Sequence, residues 1–370
     1  MARESEETRF TWIGEPSIKD DTYAAIDEKT IDWLRRSTNQ RANDSRSFIN
    51  YNLGRIPNQF RDIFINNLTN NWKSGIFELI LARYLQEMGA KLYYEKPISG
   101  GRRPDFTVEF SGRSIIVEAI SPIMDSESIK AEKNNIPLIK YIEKTKPQGW
   151  LILLLRLPDI GPADSKKEFK KAINKFFSEL SSTTENKLEF TEILSSGLIA
   201  LDCTRTDKEY KRIGGGPILT SRDDTERRIK HAIDKKRSQV RESNIPAFLA
   251  INASGISSEA EDFYHALYGR SVEVVDYITL DRQYSYFEES GLFTKKKNDN
   301  PTYAGVLACF KYGLAGGKPP ILYLNPNYPG RLPNEILQLE QRSYDFNTQS
   351  INIKSSEYND LVSKLRFPTH

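Results

Sequence analysis

The chain has 370 residues, enough for one large domain or two ordinary ones. Hydrophobic residues make up 38% and charged residues 28%, so a substantial core is expected, but no apolar run approaches the roughly 20 residues of a membrane helix. The net charge of +3 is too weak to predict a nucleic-acid partner without further signals. Residues 1–9 lack the apolar stretch of a signal peptide, so a soluble, cytoplasmic protein is expected.

Few residues are available for disulfide or zinc chemistry. Cys203 and Cys309 each lie in an apolar, strand-like run, which favours buried free thiols over a disulfide. His231, His265 and His370 lack the spacing of metal ligands. A zinc site is therefore not expected.

Charge is unevenly distributed along the chain. Basic residues crowd residues 166–175, 227–241 and 295–297, and acidic residues crowd residues 259–289. Such runs are usually solvated faces. They support a polyanionic partner only if another feature indicates one.

The chain divides into three predicted regions. Residues 1–70 are polar, with a helix around residues 27–36 and a loop-like stretch at residues 37–47, and are expected to form an arm or a small cap. Residues 71–325 carry a regular hydrophobic pattern. The Pro- and Asn-rich tail, residues 326–370, is expected to lie on the surface.

The central region alternates helix and strand patterns. Helices are predicted at 72–88, 136–144, 167–180, 225–241 and 258–268, and strands at 91–95, 105–110, 113–121, 150–157, 197–204, 247–252, 303–312 and 321–325. The apolar run at 150–157 suits a strand buried on both faces. This order predicts an α/β fold with a mixed central sheet flanked by helices.

A β-hairpin carries the strongest indication of chemistry. If Ser111-Gly112 is a two-residue turn, counting outward pairs Asp105 with Glu118. Directly opposed residues lie on one face of a sheet with Cβ atoms roughly 5 Å apart, so the two carboxylates are expected side by side. The other face of the hairpin is then apolar, with Phe106, Val108, Ile115 and Val117.

The opposed carboxylates of Asp105 and Glu118 predict a bound cation. Two like charges this close destabilise a sheet unless one is protonated or a cation lies between them. Carboxylate oxygens suit Mg²⁺, Mn²⁺ or Ca²⁺. The alternative is two carboxylates splayed into solvent, which a register shift of one residue would produce.

A third carboxylate precedes the hairpin. Glu78 shares a helical face with Leu81, Ala82 and Leu85, so it borders the apolar stripe of its helix. Because this helix must pack on the sheet that contains the hairpin, Glu78 is expected to reach the carboxylate pair. The alternative is a first-turn glutamate that the helix dipole favours.

Three segments follow one another in this part of the chain: Phe77-Glu78-Leu79, Gly101-Arg102-Arg103-Pro104-Asp105-Phe106 and Val117-Glu118-Ala119-Ile120. Over residues 72–121 their order resembles the PD-(D/E)XK, or restriction-endonuclease-like, nuclease superfamily. Residues 229–236 and 246–252 look similar to bacterial proteins with the same core. The resemblance implies that Asp105 and Glu118 bind Mg²⁺ or Mn²⁺ and that Glu78 assists them as a third ligand.

One position departs from the pattern of this superfamily. Its lysine lies two residues after the glutamate, where this chain has Ile120, which can neither donate a proton nor hold a water. Some members of the superfamily carry this lysine on a nearby helix. The resemblance therefore implies either a substitute lysine or an impaired site.

Lys236 is the first candidate for the substitute. It is the charged residue in a helical stripe that otherwise contains Ile229, Ala232, Ile233 and Val240. The alternative is a lysine that extends along the rim of the core to reach solvent. Three further lysines are rival candidates: Lys130, Lys133 and Lys140.

The sequence thus predicts a metal-dependent nuclease that acts on nucleic acid, with double-stranded DNA as the expected substrate. Arg102 and Arg103 are expected to contact phosphates, unless they are simply solvated loop residues. The resemblance also implies a homodimer and a role in bacterial defence. Two alternatives stay open: a nuclease fold that binds nucleic acid without cleaving it, and an interaction scaffold for residues 1–70.

Overall fold

The computed structural model describes residues 10–22, 24–25, 27–98, 101–122, 126–158, 163–207, 225–240, 244–253, 260–275, 282–288, 290–294, 302–310, 318–345, 347–358, 361 and 365. The helices are α1 (Thr30–Arg36), α2 (Gln40–Gly54), α3 (Asn58–Asn70), α4 (Trp72–Glu87), α5 (Ser126–Thr145), α6 (Ala163–Ser182), α7 (Thr225–Val240), α8 (Ala260–Tyr268) and α9 (Asn334–Leu337). The strands are β1 (Lys91–Tyr94), β2 (Phe106–Phe110), β3 (Arg113–Ile120), β4 (Trp150–Arg156), β5 (Lys187–Leu194), β6 (Gly197–Arg205), β7 (Ala247–Asn252), β8 (Ser271–Val275), β9 (Arg282–Phe287), β10 (Gly305–Cys309), β11 (Ile321–Leu324), β12 (Glu340–Asp345) and β13 (Ser350–Lys354).

These elements belong to two compact units. Unit 1 contains residues 1–15, 41–123 and 223–370, and unit 2 contains residues 16–40 and 124–222. The division does not coincide with the predicted boundaries at residues 70 and 325. The larger part of unit 2, residues 124–222, is inserted between β3 and α7, and its smaller part, residues 16–40, comes earlier, so the chain leaves unit 1 and returns to it twice.

A mixed sheet forms the centre of unit 1. Its eight described strands lie in the order β1-β2-β3-β7-β10-β11-β12-β13. β3 and β10 both pair with β7 in parallel, whereas β1, β2 and β3 form an antiparallel meander. The predicted α/β fold with a mixed central sheet is confirmed.

The β2–β3 hairpin has the predicted register. Ser111 and Gly112 both have positive φ angles, 43° and 81°, as a two-residue turn of the hairpin type requires. Phe106 pairs with Val117. The next position outward therefore brings Asp105, which directly precedes β2, opposite Glu118 on β3.

Helix α7 packs on the face of the sheet that carries Glu118. Ile229 and Ile233 of α7 share a core cluster with Ile116 of β3 and Leu249 of β7. Ile116 and Glu118 are two residues apart on one strand and so point to the same face. The apolar stripe of α7 therefore directs Lys236 towards Glu118.

A close helix crossing shapes the other side of the site. Gly75 of α4 lies against the backbone of α3, where an added Cβ would be 2.6 Å from the nitrogen of Leu68. No larger residue fits there unless the helices separate. This contact brings Asn67 of α3 beside Glu78 of α4.

One prediction near the start of the chain is wrong, and the two predicted end regions are more structured than their composition indicated. Residues 37–47 are not a loop, because α2 begins at Gln40, and residues 1–70 are more than a polar arm, since Ile49, Leu53 and Leu68 are fully buried. The tail after Pro326 is not merely surface. Its strands β12 and β13 extend the central sheet.

Unit 2 has its own sheet and core. β4, β6 and β5 form an antiparallel sheet in that order, so residues 150–157 do not belong to the central sheet. Buried and half-buried positions alternate along β4, which corrects the prediction of a strand buried on both faces. Helices α5 and α6 contribute Ile142, Phe169 and Ile173 to this core.

Cys203 and Cys309 are buried thiols that form no disulfide, as predicted. Among the described helices, none combines the length and apolar character that a membrane crossing requires. The basic run at residues 295–297 lies outside the described residues.

Candidate functional site

Lys236 lies between the two carboxylates of the hairpin. Its Nζ donates hydrogen bonds to Asp105 Oδ2 at 3.0 Å and to Glu118 Oε2 at 2.8 Å. The three side chains come from the residue just before β2, from β3 near its end and from α7, all in unit 1. The prediction that Lys236 lies beside the Asp105–Glu118 pair is confirmed; its catalytic role stays a prediction.

Asp105 is held in place by the strand opposite it. Its Oδ2 accepts a hydrogen bond from the backbone N–H of Ala119 at 2.7 Å as well as the one from Lys236. Its side chain is 23% exposed. Asp105 is thus oriented by two donors and still open to a ligand from solvent.

Glu118 is fully buried, and one of its oxygens lacks a hydrogen-bond partner among the described residues. Its relative exposure is 0%, and within the described part of the chain no group donates a hydrogen bond to Oε1. Burial, followed by the charge of Asp105, raises the pKa of Glu118 to about 7 despite the opposing effect of Lys236. A buried carboxylate oxygen without a hydrogen-bond partner costs free energy, so binding of a cation or a proton at Oε1 is favourable.

Lys236 stays charged in this environment. Burial alone would lower the pKa of Lys236, but the charges of Asp105 and Glu118 and its hydrogen bonds to them outweigh burial and raise it. Its side chain is 16% exposed. One ammonium therefore faces two carboxylates, and a third lies nearby.

The third carboxylate, Glu78, is held by neutral donors. Its Oε2 accepts hydrogen bonds from Tyr94 Oη at 2.6 Å and from Asn67 Nδ2 at 2.9 Å. Burial raises the pKa of Glu78, and the charge of Asp105 raises it further. Because α4 begins at Trp72, Glu78 is in the middle of the helix, which excludes the first-turn alternative.

The structure explains why Ile120 is apolar. Ile120 follows Glu118 by two residues on the same face of β3 and packs against the core cluster under α7. A lysine there would have to extend out of this cluster. Lys236 enters the site from the helix above instead.

The remaining predicted residues are two arginines and three lysines. Arg102 and Arg103 occupy the loop before β2, half-buried and exposed respectively. Lys140 pairs with Asp27 in unit 2 at 2.5 Å. The side chains of Lys130 and Lys133 lie outside the described residues.

Three residues of the site were missed by sequence reasoning. Asn67 and Tyr94 hold Glu78, and Tyr303 is a buried phenol whose hydroxyl has no partner within the described residues. Burial, followed by the charge of Glu118, raises the pKa of Tyr303. No motif marks these residues, because they come from three distant segments that only the fold brings together.

The carboxylates of the site suit a hard divalent cation. No group of three or more His, Cys, Asp and Glu side chains within the described part of the chain could hold a metal ion, so the predicted three-carboxylate ligand set is not found there. Asp105 and Glu118 do converge. Two carboxylates are a common protein contribution to a Mg²⁺ site, where waters and substrate phosphates complete the octahedron.

The raised pKa values predict that the unfolding free energy of the metal-free chain falls as pH rises. The folded chain binds protons at Glu78 and Glu118 more tightly than the unfolded chain does, so their stabilising contribution is complete below about pH 4.5 and falls as the pH rises. For Glu118 the contribution is lost as the pH passes about 7. Lys236 and Tyr303 also face these groups, and their raised pKa values keep each of them in one charge state over this range.

Urea unfolding in the presence of a chelator measures this effect. The unfolding free energy of the wild type, after subtraction of that of a Glu78→Gln/Glu118→Gln variant, should fall between about pH 5 and pH 8. The subtraction removes the contributions of histidines and surface carboxylates. A difference that is independent of pH would contradict the assigned burial of these two charges.

Comparisons with family models, with curated proteins and with solved structures find no match to this chain. The chemistry of the site is therefore argued from the side chains themselves.

Proposed function

We propose that unit 1 is a nuclease of restriction-endonuclease-like type that hydrolyses phosphodiester bonds of nucleic acid with the help of Mg²⁺ or Mn²⁺. The observation that carries the proposal is the ion cluster in which Lys236 Nζ contacts Asp105 at 3.0 Å and Glu118 at 2.8 Å. Two converging carboxylates with one lysine beside them form a minimal set for metal-assisted attack of water on a phosphate.

Asp105 and Glu118 would hold the metal. Asp105 is aligned by the Ala119 N–H, and the buried Oε1 of Glu118 is available to a cation. When bound, the metal would lower the pKa of a water molecule and polarise the scissile phosphate. Glu78 adds negative charge beside the pair, and Asn67 and Tyr94 keep it in a fixed orientation.

Lys236 would act on the water and on the charge that develops on the phosphate. An ammonium can orient an attacking water and offset the negative charge of the transition state. Its two carboxylate partners prevent it from extending into solvent. Arg102 and Arg103 lie in the loop before Asp105, separated from it by Pro104, and would contact neighbouring phosphates.

Cleavage of labelled duplex DNA by the full chain tests the proposal. Cleavage should require Mg²⁺ or Mn²⁺ and should be lost in Asp105→Asn. Glu109→Gln is a matched control, because Glu109 is a carboxylate of the same hairpin that lies outside the cluster. DNA binding without cleavage in the wild type would support the inactive, nucleic-acid-binding alternative, and neither binding nor cleavage would support a scaffold.

Metal binding should also stabilise the folded chain. The melting temperature is expected to rise with Mn²⁺ or Mg²⁺, by an amount equivalent to about 2.7 kcal/mol at a metal concentration of 100 times Kd. Asp105→Asn should abolish the rise, and Glu109→Gln should keep it. An equal rise in Asp105→Asn would assign the ion to another site.

A further inference from the structure

Unit 2 contains a groove lined by lysines. Its volume is about 380 Å³, and it lies between α5 and α6. Four lysines line it, together with the ring of Tyr141: Lys140, Lys144, Lys166 and Lys170. We call this feature the lysine groove.

The positive charge of the lysine groove is mostly uncompensated. Lys140 pairs with Asp27, but among the described residues no ion pair is formed by Lys144, Lys166 or Lys170. The acidic neighbours of these lysines, Glu143 and Glu168, are not part of the lining. Like charges repel one another, so an anion bound among these lysines would reduce their mutual repulsion.

The groove is shaped for an extended anion. Lys140 and Lys144 are four residues apart on α5, and Lys166 and Lys170 are four apart on α6, which separates each pair by about 6 Å along its helix. The cations therefore form two rows along facing helices. A row of cations matches a chain of phosphates better than it matches a single small ion.

Tyr141 fixes part of the groove wall. Its hydroxyl donates a hydrogen bond to Asn174 at 2.7 Å, and Lys170 Nζ lies 5.1 Å from the centre of its ring. The contact with the ring holds this ammonium over the groove. The wall thus presents cations on an ordered surface.

We propose that the lysine groove binds the phosphate backbone of nucleic acid and makes unit 2 a binding module of this chain. A membrane surface is the weaker match, because surface helices that insert into lipid carry large apolar residues beside their cations. Within the described residues, the exposed large apolar side chains are Ile18, Leu155, Ile193 and Ile353, and none lines the groove.

The choice of nucleic acid as the polyanion rests on the proposed function, but the groove can be tested apart from cleavage. Binding of the full chain to a fluorescent DNA duplex is measured by anisotropy in a chelator, over a series of salt concentrations. Lys166→Gln/Lys170→Gln should weaken binding and lower the slope of log K against log salt by about 2, or about 1 per lysine. Lys167→Gln/Lys171→Gln is the matched control, with the same charge change on exposed positions of α6 outside the groove.

The control variant should keep most of the wild-type slope of log K against log salt. An equal change in both variants, or no change in either, would overturn the proposal, as would groove-dependent binding to vesicles with phosphatidylserine in the absence of duplex binding. Lys144→Gln repeats the test on α5, and the melting temperature of each variant verifies its fold. A chain that binds through the groove but never cleaves would refute the proposed nuclease and leave this inference standing.

Discussion

Lys236→Ala is expected to lower metal-dependent cleavage by about two orders of magnitude or more, the usual effect of losing one positioned proton-transfer or charge-stabilising group. The expectation follows from the position of the ammonium, 3.0 Å from Asp105 Oδ2 and 2.8 Å from Glu118 Oε2. Duplex affinity should change little, because one lysine is a single phosphate contact among several.

The same variant should be destabilised in a pH-dependent way. Removing one partner of a buried ion cluster costs about 3–5 kcal/mol when the remaining charge stays buried. Glu118 can avoid part of this cost by taking up a proton, since its pKa is already raised to about 7. The loss of stability should therefore be larger above about pH 7 than near pH 5.

Two matched variants separate chemistry from folding. Lys235→Ala removes the preceding, exposed lysine of α7 and should cleave at the wild-type rate. Lys236→Arg keeps the charge and should retain most of the stability while the geometry of the ammonium is lost. Cleavage by Lys236→Ala within tenfold of the wild type, at a pH where it is folded, would remove Lys236 from the mechanism.

Glu118→Gln should abolish cleavage and yet stabilise the metal-free fold above about pH 7. Cleavage should fall by about two orders of magnitude or more, because a neutral amide is a weak ligand for Mg²⁺. The unfolding free energy should rise by up to about 3 kcal/mol, which corresponds to the shift of the Glu118 pKa from 4.5 to about 7. Asp105 remains to neutralise Lys236.

Urea unfolding near pH 8 in a chelator measures this gain. Glu109→Gln serves as control, because Glu109 is half-buried on β2 and its loss should leave the unfolding free energy nearly unchanged. Added Mn²⁺ should reverse the order of stability by binding only the wild type. A loss of stability in Glu118→Gln at pH 8 would mean that the carboxylate is better solvated than its complete burial indicates.

Part of the site could be predicted because local rules determine it. The two-residue turn at Ser111-Gly112 sets the register of the hairpin, and the register sets Asp105 opposite Glu118. Helical periodicity identified Lys236 as the cation within an apolar stripe. Because an amphipathic helix buries its apolar face, Lys236 could be placed on the inward side of its helix without knowledge of the strands that the helix packs on.

Long-range pairing decided the rest. The parallel pairing of β3 with β7 brings α7 over Glu118, and the contact of α3 with α4 at Gly75 brings Asn67 to Glu78. No local sequence pattern predicts the pairing of β3 with β7 or the contact of α3 with α4. The polar composition of α2 concealed a helix whose few apolar residues are fully buried, since burial depends on the partner surface and not on the average polarity of a segment.

The sequence by itself determined the α/β class and the carboxylate hairpin and made Lys236 the first of four candidate lysines, because turn geometry and periodicity act within a few residues. Only the tertiary structure decided that residues 124–222 join residues 16–40 in a separate unit and that four lysines meet across α5 and α6. It also decided that Glu118 is fully buried, with one oxygen that has no hydrogen-bond partner among the described residues. Burial and charge clustering depend on which distant segments pack together, and that information lies in no single stretch of the chain.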